Sequence, residues 1–285
     1  MNEAIEQPSS MTVGFGQRLT SAPWPRRLEG VRDAAKKLAW TAYEARLVRT
    51  PIRYAYRELL AGGLGRYELR NGGASFCIRH RSGDVDIFRK FYAYGYYEWP
   101  AEVRAALRGL RRPVNTLDLG GNIGFFEVHA RQQLPIGQVI AFEPDPANSA
   151  VLEQVRDANG ASWEIVKACA GNSNGVVRFR SGAHNFSRID SDGDFEVPAI
   201  DVFPYIANAD LVKMNIEGSE WEILHDPRMA QTDQVWIVEY HRIRNPREDI
   251  TALAREAFER HGYTTRIAMS HQGNGLVWAW KDRTP

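Results

Sequence analysis

The chain has 285 residues, of which 44% are hydrophobic and 25% charged, with a formal net charge of +1. That is enough apolar material for one full α/β core and a smaller appendage, and it excludes an intrinsically disordered protein. The two cysteines, Cys77 and Cys169, lie far apart and in no metal or C-x-x-C spacing, which argues against a disulfide framework and for a reducing compartment.

In chain order, residues 1–22 are polar and without period, and are expected to be disordered. Residues 23–99 read as an accessory unit on the acceptor side. Within it Val31, Ala35, Leu38, Ala42 and Ala45 recur at helical spacing and should pack inward on the main domain, with Arg32, Lys36, Lys37 and Arg46 on other faces. Pro51 opens a second helix that Gly62-Gly63 ends. Ten of the 36 Lys and Arg residues fall between Arg18 and Arg57, which leaves residues 61–285 at about −3. A solvated helical face accounts for this excess, as would an anionic substrate, carrier or membrane surface. Residues 67–70, 75–81 and 85–88, separated by Asn71-Gly72 and Ser82-Gly83, predict a β-meander. The ring-dense run from Phe91 to Trp99 either packs in the core or forms a lid over an apolar acceptor.

Residues 100–285 alternate strand and helix. Strand 114–119 and a helix with Ile123, Phe126, Ala130 and Leu134 on one face come first, then strand 139–142, a helix opened by Asp145-Pro146, and strand 163–168. Residues 176–180 and 195–200 are short strands around a polar loop. Strand 211–216 is followed by a capping box, Ser219 to Glu222, that starts a helix. Strand 235–239, a helix opened by Asn245-Pro246, and a hairpin of strands 264–268 and 275–280 end the chain. The pattern predicts a mostly parallel sheet with helices on both faces and one antiparallel edge. No stretch approaches 18 uninterrupted apolar residues, and the N-terminus lacks a signal-peptide pattern, so a soluble, cytoplasmic protein is expected.

The most informative segment is Asp118-Leu119-Gly120-Gly121-Asn122-Ile123-Gly124. A strand that turns through glycines into a helix lets backbone approach a bound molecule. The glycines at 120, 121 and 124 do not follow the dinucleotide spacing, and Asp118 suits a cation better than a pyrophosphate. Both points favour the sulfonium and ammonium of S-adenosylmethionine. At the end of the next strand Glu143, followed by Pro144, is placed to bind both ribose hydroxyls.

Together Asp118 to Gly124, Phe142-Glu143-Pro144, Lys213-Met214-Asn215-Ile216-Glu217-Gly218-Ser219-Glu220 and Glu239-Tyr240-His241 resemble the FkbM family of S-adenosylmethionine-dependent methyltransferases. The resemblance implies a class I, Rossmann-like fold with a seven-stranded sheet, and O-methylation of a sugar, polyketide or other natural product. It implies donor contacts from Asp118, Gly120, Gly121, Asn122, Gly124, Glu143, Pro144 and Asn215. Asn215 stands where the family usually has aspartate, so it cannot serve as a base. The usual acid after the third strand is also missing, and the backbone at Cys169 would read adenine.

Methyl transfer from a sulfonium needs alignment, exclusion of water and removal of the acceptor proton. His241, just past a central strand, is the leading base; His184 is second. Glu217 and Lys213 complete the catalytic set. No ligand set with a fixed count is legible, so no metal is expected. The reading is an O-methyltransferase acting on a small or carrier-bound hydroxylated metabolite. A cofactor-binding partner with impaired catalysis, an N-methyltransferase and a nicotinamide dehydrogenase are the rivals. The basic segment lacks the interleaved aromatics of a nucleic-acid groove.

Overall fold

The computed structural model describes residues 29–181, 188–242, 249–271 and 274–281. Residues 1–22, His184 and the Asn245-Pro246 helix start lie outside them.

Helix α1 (Glu29–Leu47) leads into α2 (Pro51–Tyr56), which widens into a π-helical turn, Arg57–Ala61. Strands β1 (Gly63–Glu68) and β2 (Ser75–His80) pair as an antiparallel hairpin. The third strand of the expected meander does not form, because Asp84–Tyr92 is helix α3. Val85-Asp86-Ile87-Phe88 imitates strand alternation for four residues, but Val85, Phe88 and Phe91 continue at helical spacing and are buried together. Asp84 fixes the start of the helix by accepting from the Arg79 backbone N–H at 2.9 Å and its guanidinium at 2.7 Å.

α1 also departs from expectation. Ala45 is buried, but Val31 and Leu38 are exposed. The inward positions go to Thr41, Glu44 and Ala45, because Glu44 is fully buried against Tyr54 and the Arg89 guanidinium. An unpaired buried carboxylate costs more than a few exposed methyl groups, so the ion pair sets the rotation of the helix.

After α4 (Ala101–Arg108) come β3 (Val114–Leu119), α5 (Phe125–Gln133), β4 (Ile136–Phe142), α6 (Pro146–Ala158) and β5 (Glu164–Val166). Strands β6 (Cys169–Gly171), β7 (Gly175–Arg180), β8 (Arg188–Ile189) and β9 (Phe195–Asp201) form a separate four-stranded sheet in the order β6-β9-β7-β8. Helix α7 (Phe203–Ile206), β10 (Leu211–Met214), α8 (Glu220–Leu224), β11 (Val235–Tyr240), α9 (Ile250–Glu259), β12 (Thr264–His271) and β13 (Asn274–Trp280) complete the chain. The main sheet has the order β12-β13-β11-β10-β3-β4-β5. β13 runs antiparallel to both neighbours, whereas the pairs from β11 to β5 are parallel. This is the expected class I methyltransferase arrangement.

Side chains alternate across the sheet, so both faces are apolar. Val114, Leu211, Val235 and Ile237 join one cluster; Leu117, Leu119, Val212, Trp236 and Val238 join the other. The first cluster is continuous with Tyr54, Phe76, Phe88 and Trp99, so the N-terminal unit shares its core with one face of the sheet. Truncating a ring such as Phe88, which is fully buried, would cost about 3–5 kcal/mol.

Candidate active site

The parallel strands end in a cavity of about 550 Å³ lined by Gly120, Gly121, Asn122, Glu143, Pro144, Cys169, Lys213, Asn215, Glu217, Glu239 and His241. Open α/β sheets bind ligands at this edge. Its first half is built by the loop after β3. Gly120 takes φ 90°, and a Cβ there would collide with the Asn215 carbonyl oxygen, so only glycine lets β3 and β10 close on each other. Gly124, at φ 88°, leads into α5.

Asp118 does not present its charge to the cavity as expected. Its side chain is fully buried and forms an ion pair with Lys213 Nζ at 2.9 Å. The two residues sit opposite each other in the parallel register of β3 and β10, so the pairing is a direct result of strand alignment. Lys213 also donates to the Gly120 carbonyl at 2.6 Å, which ties the glycine loop to β10. Beside them, burial and the charge of Asp118 hold the Glu127 carboxyl well above the usual carboxylate range. Asp118 and Lys213 therefore shape the loop and do not touch the cavity as a free acid and a free base.

Glu143 does line the cavity. Its Oε2 accepts the Asn122 N–H at 2.7 Å and its Oε1 the Asp145 N–H at 2.8 Å. A carboxylate has about four acceptor positions, so both oxygens retain capacity. Burial, opposed by those two backbone bonds, pushes it up to about 8. Asp145 in turn caps α6, accepting from Ala147 and Asn148. Burial, then the nearby Glu143, raises the Cys169 thiol to about 12, so it stays protonated and acts as wall.

The second half gathers charge from four elements. Glu239 Oε1 accepts from Lys90 Nζ at 2.8 Å, and Oε2 accepts from Tyr97 OH at 2.9 Å and Asn215 Nδ2 at 3.1 Å. Burial acts to raise Glu239, but the charges of Lys90 and His241 and the bonds from Lys90 and Tyr97 hold it below the usual value. His241 Nδ1 lies 2.9 Å from Glu220 Oε1; its Nε2 lies 3.7 Å from Glu217 and 4.0 Å from Glu239. Burial acts to lower His241, yet the three carboxylates outweigh it and raise it to about 9. At about 9 the imidazolium form dominates near neutral pH, which weighs against the base role expected of His241.

Glu217 behaves differently. Burial, opposed by His241 and reinforced by Glu239 and Glu220, raises it to about 7. Its backbone is left-handed, φ 54°, a conformation that non-glycine residues avoid and that clusters at functional sites. The expected capping box is absent: Ser219 makes no side-chain cap bond. Instead Glu220 accepts from the Ile216 and Gly218 N–H groups at 3.0 and 2.9 Å and holds the loop that carries Glu217.

Lys90, Glu220 and Glu239 are not among the expected site residues, whereas Tyr97 falls in the aromatic run that offered a lid over the acceptor. Glu239 was within reach, because residues two apart on a strand share a face and His241 was already placed there. Lys90 was hidden by the misread strand. The aromatic run turns out to be wall and core: Tyr97 is buried and stacked on Phe91 with ring centroids 4.1 Å apart. Asn215 Nδ2 faces the Glu239 carboxylate, where an aspartate would be repelled.

Residues 118–265 match the family described as the methyltransferase FkbM domain. The chain belongs to the FkbM methyltransferase family. It is thus an S-adenosylmethionine-dependent methyltransferase. Among solved structures it is similar to a methyltransferase FkbM from Methylobacillus flagellatus KT, with 16% identity over 87% of this chain and 60% of that one and a TM-score of 0.44. It is also similar to a precorrin-6y C5,15-methyltransferase from Geobacter metallireducens GS-15, with 19% identity over 64% and 88% of the two chains and a TM-score of 0.38. A third likeness is to TYW2 of M. jannaschii in complex with AdoMet, with 14% identity over 75% and 84% and a TM-score of 0.38. No curated protein matches the chain. The assignment rests on the family match.

The cavity fits the donor. Its volume lies in the range of small-molecule sites, Glu143 has acceptor capacity for hydroxyl donors, and the buried Oδ1 atoms of Asn122 and Asn215, both cavity residues, have no hydrogen-bond partner. Those two oxygens suit an ammonium. Among the described residues no group of three or more His, Cys, Asp and Glu could hold a metal ion.

Proposed function

We propose that the enzyme methylates a hydroxyl oxygen of a small or carrier-bound metabolite, such as a sugar or polyketide, with Glu217 as the general base. Bound S-adenosylmethionine supplies an electrophilic methyl group on its sulfonium. Glu143, Pro144, Asn122, Asn215, the Gly120–Gly124 loop and the backbone at Cys169 hold the donor. Glu217 takes the acceptor's O–H proton, and Lys90, Tyr97 and Glu239 frame the acceptor end.

The observation that carries this reading is the contrast between Glu217 and His241. A base works best with a pKa near the operating pH, and Glu217, at about 7, satisfies that condition while His241, at about 9, does not. His241 is then a positioning residue whose positive charge keeps Glu217 from rising further. An amine acceptor would make a weaker demand on such a base. Asn215 also fits an active enzyme, since its amide supports Glu239.

The test is turnover of hydroxylated metabolite pools with donor carrying a ¹³C methyl group. The product methyl carbon should resonate in the methoxy range. An N-methyl or S-methyl shift would overturn the assignment.

A further inference from the structure

The two N-terminal helices leave apolar side chains in solvent. On α1, Val31 is 60% and Leu38 56% exposed; along α2 and its π-helical turn, Ile52 is 85%, Tyr56 58% and Leu60 70% exposed. Residues 52, 56 and 60 recur every fourth position and share one face of the helix. The two helices pack on each other, and these side chains stay exposed to that degree among the described residues. Seven basic residues accompany them: Arg32, Lys36, Lys37, Arg46, Arg49, Arg53 and Arg57. Of the acids between residues 30 and 60, Glu44 and Glu58 are buried, and Asp33 is exposed beside Arg32 at 3.1 Å. Arg49 also pairs with Glu68 at 3.0 Å.

We propose that this surface docks the enzyme on a bilayer rich in anionic lipid. Charge decides among the occupants. A second copy would set this net positive surface, five of its seven cations outside the Asp33 and Glu68 pairs, against another of the same sign, and like-charge juxtaposition disfavours that pairing. An anionic headgroup layer neutralises the same cations while Ile52, Leu60 and Leu38 enter the acyl boundary. Tyr56, with an apolar ring and a polar tip, suits headgroup depth. No described helix is long and apolar enough to cross a membrane, so the contact is peripheral.

Flotation of the full-length protein with vesicles tests this. It should float with phosphatidylcholine vesicles containing phosphatidylglycerol, stay behind with phosphatidylcholine alone, and be stripped by high salt. The double variant Ile52→Glu/Leu60→Glu should lower flotation about tenfold or more while its Tm and adenosylhomocysteine affinity stay at the wild-type values. Absent flotation, or equal flotation of the double variant, overturns the proposal. So does a concentration-dependent dimer that the double variant abolishes, which would assign the stripe to a second copy. Flotation gained only on removal of residues 1–28 would overturn it too, by assigning the stripe to the chain's own N-terminal segment.

Discussion

The two halves of the cavity are built on opposite principles. At the proposed donor end polar groups are answered locally: Lys213 pairs with Asp118 across adjacent strands, and two backbone N–H groups bond to Glu143. At the proposed acceptor end three carboxylates, Glu217, Glu220 and Glu239, crowd the imidazole of His241, and Lys90 and Tyr97 reach in from the N-terminal unit. The first arrangement holds a shape. The second holds Glu217 raised to about 7 and His241 raised to about 9.

The comparison breaks most visibly at Lys213. Lys213→Met leaves Asp118 buried and unpaired, and should cost about 3–5 kcal/mol of stability by chemical denaturation. A variant as stable as wild type would mean that the donor end does not depend on this pair. At the other end, Glu217→Gln should lower kcat about 100-fold or more with adenosylhomocysteine affinity held in calorimetry. The wild-type rate should rise with pH through about 7 as Glu217 loses its proton, and the variant should lose that limb. Full turnover in Glu217→Gln would remove it as base.

Glu143→Ala sharpens the donor side. It should weaken both adenosylmethionine and adenosylhomocysteine by about 1–3 kcal/mol, the cost of unpaired ribose hydroxyls, and leave the pH profile in place. His241→Gln acts on the acceptor side through Glu217: without the imidazolium, burial raises Glu217 further, so the low-pH limb should move upward by about one unit. His241 is raised from 6.5 to about 9, so its contribution to stability is full below about pH 6.5 and is lost as pH rises through 9. The melting temperature of wild type should fall across that window, and that of His241→Gln should stay flatter. The smallest expected effect is none at all: exhaustive EDTA should leave turnover unchanged. Recovery by one added divalent ion would make Glu217, Glu239 and His241 ligands.

The same contrast explains what the sequence disclosed. The glycine loop, the place of Glu143 at a strand end, the mostly parallel sheet and the closing hairpin are local or periodic features, and each was legible. Asp118 was legible in position but not in role, because its partner lies 95 residues on and only strand register brings Lys213 beside it. The acceptor end needs contacts between residues as distant as Lys90 and Glu239, and no spacing reports those. Two misreadings came from short patterns overruled by polar pairing. Arg79 bonded to Asp84 where a strand was expected to form, and Glu44 bonded to Arg89 where α1 was expected to turn Val31 and Leu38 inward. His184 falls outside the described residues, so its standing as second base is unchanged.

Glu217 carries one more consequence. Its left-handed backbone and its buried carboxyl both work against folding, and glycine at this position would relieve each of them, by roughly 1 kcal/mol or more for the backbone alone. Selection for heat tolerance without selection for turnover would therefore drift toward Glu217→Gly. With Glu217 as the proposed base, thermal hardiness gained at that position would come at the expense of turnover.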